Sequence, residues 1–520
     1  MMSCLILERP GKWRGIGIFA GLLLALAPSL ALLFSLGHPT ASSPAPVFTT
    51  VFINALSRSL AVALAVAIFS VAIGLPTGVM AGLYQFVLRR TLLALLALPL
   101  LVPSFITAIG LSMVRVALGL RPNGLFSGFT GTVLAFVTFG TPLVSFITLA
   151  SVRGISRSQV DAARLAGGER HLAWCVARSV LPLAALTGVL AGVLTLSDPG
   201  PGQIFGHTGA ASEILVSFAS QYDFALAARQ CLALAGVVFF AGLPVAAFLA
   251  PRLATGLLAR DVTPAPLARV RWAEMCGPML LSALLLGTVI LPLAGFVQPL
   301  FRSVPAERAL QEVGRTVGNT AFYGIVASLL ATMLGVTLAI CSGRDAKLRA
   351  TLLVGLILLF ALPPSLGALG WIQLAGASPA QLDPVFRGPL TVSLALALRF
   401  FPFATIFALR GLGTASPSWS SVAAIHGVSL WTFGRKVLAP WLRPAILTSA
   451  LLILLLATAD VSSVLLLHPP GKSSLPLAIF TVMANAPESL VGALCVAYVG
   501  GAALLLGAGL LASRSFRRKP

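Results

Sequence analysis

Apolar residues in this chain gather into long runs separated by short polar joints. Twelve such runs can be drawn, near residues 15–36, 58–82, 91–114, 131–151, 180–198, 230–250, 277–300, 320–341, 351–376, 390–409, 445–467 and 489–513. A bilayer core about 30 Å thick takes about 20 apolar residues of α-helix to cross, so each run predicts a spanning helix. The expected fold class is all-α: a polytopic membrane protein of about 12 transmembrane helices.

Composition points the same way. The 520 residues are 58% hydrophobic and only 9% charged, with mean hydropathy +0.99, whereas soluble chains carry roughly 25% charged residues. The 49 glycines and 35 prolines suit bundled helices, where small residues let backbones approach and neighbours re-satisfy freed backbone groups. The net charge of +21 invites a nucleic-acid partner, but its distribution argues for none. With the amino terminus inside, 25 of the 35 Lys and Arg residues fall in inside segments, nine fall outside, and Arg399 lies within a span. That bias orients membrane proteins, and it places both termini in the cytoplasm. The first run follows basic residues and precedes a small-residue tract, Ala41 to Ala45, as in a secretory signal. Its length of about 20 apolar residues exceeds the usual 7–15 of a cleaved signal, so it is expected to be a retained helix. The six cysteines and five histidines are scattered, with neither Cys-x-x-Cys nor a helical histidine pair, so no disulfide frame or metal site is expected.

Landmarks recur along the chain. Asn54 and Asn319 are 265 residues apart, Pro103-Ser104 and Pro364-Ser365 are 261, Gly167 and Gly427 are 260, and Asp198 and Asp460 are 262. Drift of a few residues is what loop insertions in a tandem duplication would produce. Six spans per copy leave both copies facing the same way, as two parallel six-helix repeats around a shared pathway. The expected domains are a first repeat over 1–251, a polar cytoplasmic linker over 252–276, and a second repeat over 277–520.

Two inside loops carry the most specific pattern. The first reads Asp161-Ala162-Ala163-Arg164-Leu165-Ala166-Gly167 and runs to Leu181-Pro182; the second reads Ser421-Val422-Ala423-Ala424-Ile425-His426-Gly427 and runs to Ala439-Pro440. Ser158 with Asp161 three residues on forms a capping-box pattern, and Gly167-Gly168 supply a stop. A helix over about 159–166 is expected, with its counterpart over about 419–426 capped by Ser418 and stopped by Gly427. Both are too short to span and should lie along the inner membrane face. Either they only connect spans, or they are levers gripped by an inside partner.

Here the chain resembles the integral membrane permeases of binding-protein-dependent ABC importers. Their loop reads Glu-Ala-Ala, three residues, Gly, nine residues, an aliphatic, one residue, Leu-Pro. The second loop keeps that spacing through Gly427, Val437 and Pro440 but has Ser421-Val422-Ala423 for the triplet. The first keeps an acidic triplet, Asp161-Ala162-Ala163, with Gly167, and its Leu181-Pro182 comes two residues late. Fused permease pairs resemble the ferric-iron and thiamine branches and imply a type I importer-like arrangement. The resemblance implies two cytoplasmic ATP-binding subunits, an extracytoplasmic solute-binding protein, and a bacterial inner-membrane location. It also implies that Asp161, Ala162, Ala163, Gly167, Ser421, Ala423 and Gly427 couple to the ATPases. Losing the acid in the second loop implies that the two halves couple unequally. No cofactor is expected in this chain, because ATP would be used by the partners.

Asp198 and Asp460 close the spans after these loops and are candidate pathway residues, since an ionisable group in a span usually faces a bundle interior or an aqueous path. The alternative places both in the solvated headgroup region. Arg399, beside Phe400-Phe401-Pro402-Phe403, would snorkel, pair with a carboxylate, or mark a kink. Segments 198–229 and 468–488 are the outer loops where a solute-delivering protein would sit. Gly471-Lys472-Ser473-Ser474 imitates the tail of a phosphate-binding loop, but position 466 is leucine and a helix precedes it, so it lacks that motif's requirements. A secondary transporter of two six-helix repeats remains an alternative, and a membrane enzyme a weaker one. No residue set identifies iron, thiamine, a polyamine or an anion as the cargo.

Overall fold

The computed structural model describes residues 12–36, 46–121, 124, 126–258, 265–303 and 305–517. The tract at 41–45, Cys4, and Arg260, Asp261 and Pro264 of the expected linker lie outside the described residues. The first helices are α1 (Lys12–Leu36), α2 (Thr50–Leu83), α3 (Arg89–Leu96), α4 (Ser104–Ala117), α5 (Gly128–Arg153) and α6 (Arg157–Thr195). Two short helices, α7 (Gly200–Phe205) and α8 (Ala210–Ala219), lead to α9 (Phe224–Leu258). A second series runs through α10 (Arg271–Leu285), α11 (Leu291–Val297), α12 (Ala306–Ser342), α13 (Ala346–Ala361), α14 (Pro364–Ala377), α15 (Asp383–Phe386) and α16 (Pro389–Thr414). It closes with α17 (Pro417–Ile425), α18 (Leu430–Phe433), α19 (Ala439–Ala459), α20 (Ser462–Leu467), α21 (Leu475–Val482) and α22 (Glu488–Arg517). Among the described residues the one departure from helix and loop is an isolated bridge between Tyr84 and Ala268. The fold is all-α.

Among the described residues, ten helical stretches are long and apolar enough to cross a membrane, or twelve if each of two bent pairs is one span. The spans expected near 91–114 and 351–376 are these bent pairs. Residues 89–117 bend by 101° before α4, and α13 and α14 meet at 84°. Proline is the cause: it removes a backbone donor and pushes the preceding residue out of the helical region. Leu362 and Pro363, each followed by a proline, take extended ψ values of 143 and 130, and Pro103, which lacks a backbone donor, takes ψ 138 just before α4.

Packing between helices is set by small residues. α2 lies against α5 and α6, while α12 lies against α16 and α19. The first span of each series crosses to the other: α1 packs on α14 and α12, and α11 packs on α4 as well as on α22 of its own series. A Cβ on Gly110 would sit 2.5 Å from the Pro292 carbonyl oxygen, and one on Gly370 would strike the Pro28 carbonyl. Only glycine allows backbones this close. Large apolar side chains such as Leu64, Phe240, Met333 and Leu504 are exposed on the flanks, a surface suited to lipid rather than water.

Candidate docking elements and membrane-embedded charges

The first short loop helix is the opening of α6. Its cap is Ser156, whose backbone N–H donates to Gln159 Oε1 at 3.3 Å in a complete capping box. This replaces the expected Ser158–Asp161 pair; the helix starts at Arg157, so Ser158 and Asp161 are already inside it. Asp161 instead binds sideways, its carboxylate 3.4 Å from Arg157 Nε and 3.7 Å from Arg164 Nη1. Arg164 Nε then donates to Glu169 Oε1 at 2.6 Å, and Tyr84 Oη donates to Glu169 Oε2 at 2.9 Å. Burial, and then the Glu169 hydrogen bond, push the Tyr84 phenol well above its ordinary pKa, so it stays a donor. Tyr84 also meets the Trp272 ring edge-on at 5.0 Å. The chain of charges thus ties the loop helix to the end of α2.

Glycine ends this helix as expected. Gly167 is extended at φ −167 and Gly168 has φ 71 and ψ −166, a region that residues with a Cβ avoid. No atom lies within 4 Å of a Cβ built on Gly168, so backbone conformation, not crowding, requires glycine there. α6 is therefore two helices joined at a kink, a loop segment before Gly167 and a spanning segment after Gly168. Val160 is buried with Val152, Leu172 and Val176, which fixes one face. Ala162, Leu165 and Ala166 point the other way, with Leu165 89% exposed.

The second loop helix is α17. Its amino end is Ser416 with Pro417 as the first helical residue, so Ser418 lies within the helix and is not the cap. Proline at that position loses nothing, because the N–H it lacks has no helical acceptor. Gly427 takes φ 66 and ends the element. Ala423 and Ala424 are buried with Phe433 against Trp419 and Val428. Trp419 in turn meets Trp441 edge-on at 5.0 Å, and Trp441 Nε1 donates to the Gly411 carbonyl at 3.0 Å. Val422 and Ile425 are exposed, Ile425 by 75%. Aligned on Gly167 and Gly427, Val422 and Ile425 match Ala162 and Leu165. Each loop therefore offers an outward apolar pair three residues apart, one turn of the same helix face.

Of the seven loop residues singled out in the sequence, Ala162 and the two glycines are exposed, while Asp161, Ala163 and Ser421 are half-buried and Ala423 is buried. Ala423 faces the chain's own bundle. Leu165, Val422 and Ile425 are not among those seven, since the first and last lie beyond the triplet and Val422 replaces one of its alanines; their signal in the sequence is the spacing of apolar residues ahead of a stop glycine.

The membrane-embedded charges converge. Asp198 Oδ1 accepts from the Gly200 N–H at 2.9 Å and Oδ2 from the Ser104 hydroxyl. Asp460 is buried, 8% exposed, among its own helices. Its carboxylate accepts from the Ser463 N–H at 2.8 Å and the Ser463 hydroxyl at 3.3 Å, and Oδ2 lies 3.1 Å from Arg399 Nε. Of the three expectations for Arg399, the ion pair is the one found. Arg399 and Asp460 are close enough for both charges to act on Asp198, which brings together one residue after α6, one within α16 and one after α19. Ser104, the partner of Asp198, was visible in the sequence only as part of a matched proline-serine pair.

This arrangement is that of a membrane permease. The chain belongs to the ABC transporter permease family. It is 32% identical over 192 residues to a probable molybdenum ABC transporter permease protein of Haloferax volcanii, covering 35% of this chain and 69% of that one. It is 29% identical over 160 residues to a putative 2-aminoethylphosphonate transport system permease protein, PhnV, of Salmonella typhimurium, spanning 31% of this chain and 59% of that relative. A thiamine transport system permease protein, ThiP, of Brucella abortus aligns over 389 residues at 25% identity, covering 68% of this chain and 67% of its own length. No family model matches the chain. No solved structure matches it either.

Proposed function

We propose that this chain is the translocation subunit of an ATP-driven importer, driven by two cytoplasmic ATP-binding subunits that dock on its two loop helices. One observation carries the reading: both helices bury one face in the chain's own bundle and offer a matched apolar pair, Ala162 with Leu165 and Val422 with Ile425, on the other. An exposed leucine or isoleucine beside small residues is the kind of anchor that fills a partner's groove. In this reading Asp161, Ala163, Ser421 and Ala423 shape and hold the levers, while Gly167 and Gly427 end them.

The chain consists of two parallel repeats, 1–251 and 277–520, joined by the cytoplasmic linker 252–276. The exchange of α1 and α11 between the two helix series supports that division, because each half completes the other's core. Both termini are cytoplasmic, and ATP is hydrolysed in the partners. The outer segments at 198–229 and 468–488 receive an extracytoplasmic solute-binding protein. Tilting of the halves about the Asp198, Arg399 and Asp460 cluster opens the pathway to each side in turn. The cargo is a small solute; the thiamine permease alignment and the fused architecture make thiamine and ferric iron candidates by likeness alone, while the unpaired donors of Arg399 favour a solute that bears an oxyanion.

The test is reconstitution. The purified chain is combined in liposomes with the ATP-binding subunit encoded in the same genome, and ATP hydrolysis and binding are measured. Stable association and hydrolysis that depends on this chain are expected. Solute movement at full rate without any ATP-binding subunit overturns the proposal.

A further inference from the structure

Resting on the importer reading, the geometry around Arg399 points to the chemical class of the cargo: we propose that Arg399 is a recognition point for an oxyanion group on the transported solute. Arg399 lies ten residues into α16, in the apolar part of a span, where an arginine is costly and usually faces a bundle interior or an aqueous path. A guanidinium carries five N–H donors in a planar fork. Its Nε is 3.1 Å from Asp460 Oδ2 but is not aligned for a hydrogen bond, and both Nε and Nη1 are buried without an acceptor. The carboxylates nearby are already served. Asp460 accepts from Ser463 twice, and Asp198 accepts from Gly200 and Ser104. Both acids are hydrogen-bonded, whereas two of the arginine's nitrogens are not. Its missing partner is an acceptor.

Arg399 also faces open space. It lines a cavity with Ser29 of α1, Pro363, Pro364 and Trp371 at the α13–α14 bend, and Ser463 of α20. The cavity is thus walled by both helix series. α14 starts on its wall at Pro364, and the positive end of a helix favours a negative group. An oxyanion entering from the cavity would meet the outer end of the fork in charge-assisted hydrogen bonds, with Asp460 keeping its place beside Nε. The first series has no counterpart. The residue 261 positions earlier is Thr138, whose hydroxyl donates to the Ala135 carbonyl at 2.6 Å. The recognition point is single and lies in the second half.

Trp371 reports on the site. The full-length protein in lipid nanodiscs is titrated with inorganic phosphate, sulfate or methylphosphonate, and with thiamine as a cationic probe, while tryptophan fluorescence is followed. At least one oxyanion is expected to give a saturable change that Trp371→Phe removes. Arg399→Gln should weaken that binding at least tenfold, and Arg399→Lys, which keeps the charge and is the more conservative fold, should weaken it less. Three results overturn the proposal: no saturable response to any of the three oxyanions, an oxyanion response indifferent to Arg399→Gln and Arg399→Lys, or saturable thiamine binding abolished by Asp460→Asn. ATP hydrolysis by the reconstituted partner is read in the same preparation. Hydrolysis present without oxyanion binding rejects the anion site alone, and hydrolysis absent with oxyanion binding intact rejects the importer reading.

Discussion

Gly370 lies so close to the carbonyl of Pro28 that no side chain fits between them, and this contact joins a helix of the first series to a bent pair of the second. Gly110 makes the corresponding approach to Pro292. The two contacts fasten the first span of each series onto the broken span of the other. A mechanical consequence follows: neither series can move without carrying one helix of its neighbour.

Gly370→Leu and Gly110→Leu should each destabilise the fold, since overpacking a tight contact costs about 1–3 kcal/mol and more where the obstacle is backbone. Gly367→Leu, at a neighbouring glycine with nothing within 4 Å of a built Cβ, should be nearly silent. Thermal melting in detergent distinguishes them. Equal melting temperatures for Gly370→Leu and Gly367→Leu would contradict the packing described.

Leu165→Glu and Ile425→Glu place charge in the outward apolar pairs without touching the buried faces. Each should leave expression and melting unchanged and weaken ATPase-subunit binding by about 2 kcal/mol, roughly thirtyfold, as loss of an interface anchor does. Surface binding kinetics on nanodiscs supply the measurement. Val160→Glu, in contrast, should fail to fold, because Val160 is buried.

The two levers are held differently, and their sensitivities should differ. Asp161→Ala breaks the link between Arg157 and Arg164 in a chain of charges ending at Tyr84, whereas Ser421 makes no side-chain hydrogen bond among the described residues and its change to Ala leaves the packing of Ala423 and Phe433 intact. Transport should therefore fall more for Asp161→Ala than for Ser421→Ala at equal expression. High salt should narrow the gap, since exposed ion pairs are screened. Equal losses at low salt would refute the asymmetry.

Tyr84→Phe removes a donor to Glu169 while keeping the ring against Trp272. A hydrogen bond to a charged group is worth about 1.5–3 kcal/mol, so local opening should rise by that amount. Hydrogen exchange at residues 157–170 measures it. Glu169→Gln should produce a similar loosening, because it also weakens the pairing with Arg164.

Cysteine labelling checks the sidedness. Cys276 is exposed, while Cys231 and Cys495 are buried. An impermeant maleimide should modify Cys276 in inside-out vesicles and leave it unmodified in right-side-out ones. The reverse pattern would invert the proposed topology.

Much of this was legible in the chain. Runs of apolar residues long enough to cross a bilayer settled the all-α class, because lipid leaves a backbone few other ways to satisfy its hydrogen bonds. Gly168 and Gly427 marked helix ends because their left-handed backbone excludes most other residues. Ser158 and Ser418 misled because several serines compete near each helix start, and the actual cap is chosen by where the preceding span ends. The runs at 91–114 and 351–376 carried no sign of their bends, because hydropathy averages over a proline, whereas Pro363 and Pro364 act on single backbone angles.

What needed the tertiary structure is whatever depends on two distant segments meeting. The sequence already showed two matched aspartates and one arginine in apolar surroundings, but not that Asp460 pairs with Arg399 or that Ser104 reaches Asp198 across 94 positions. It marked glycines, but not which carbonyl each one faces. It showed which residues of the loop helices are apolar, and only packing decided that Val160 and Ala423 turn inward while Leu165 and Ile425 turn out. Hydrophobicity is a property each residue carries along the chain. Direction and partnership arise only when the helices are set side by side.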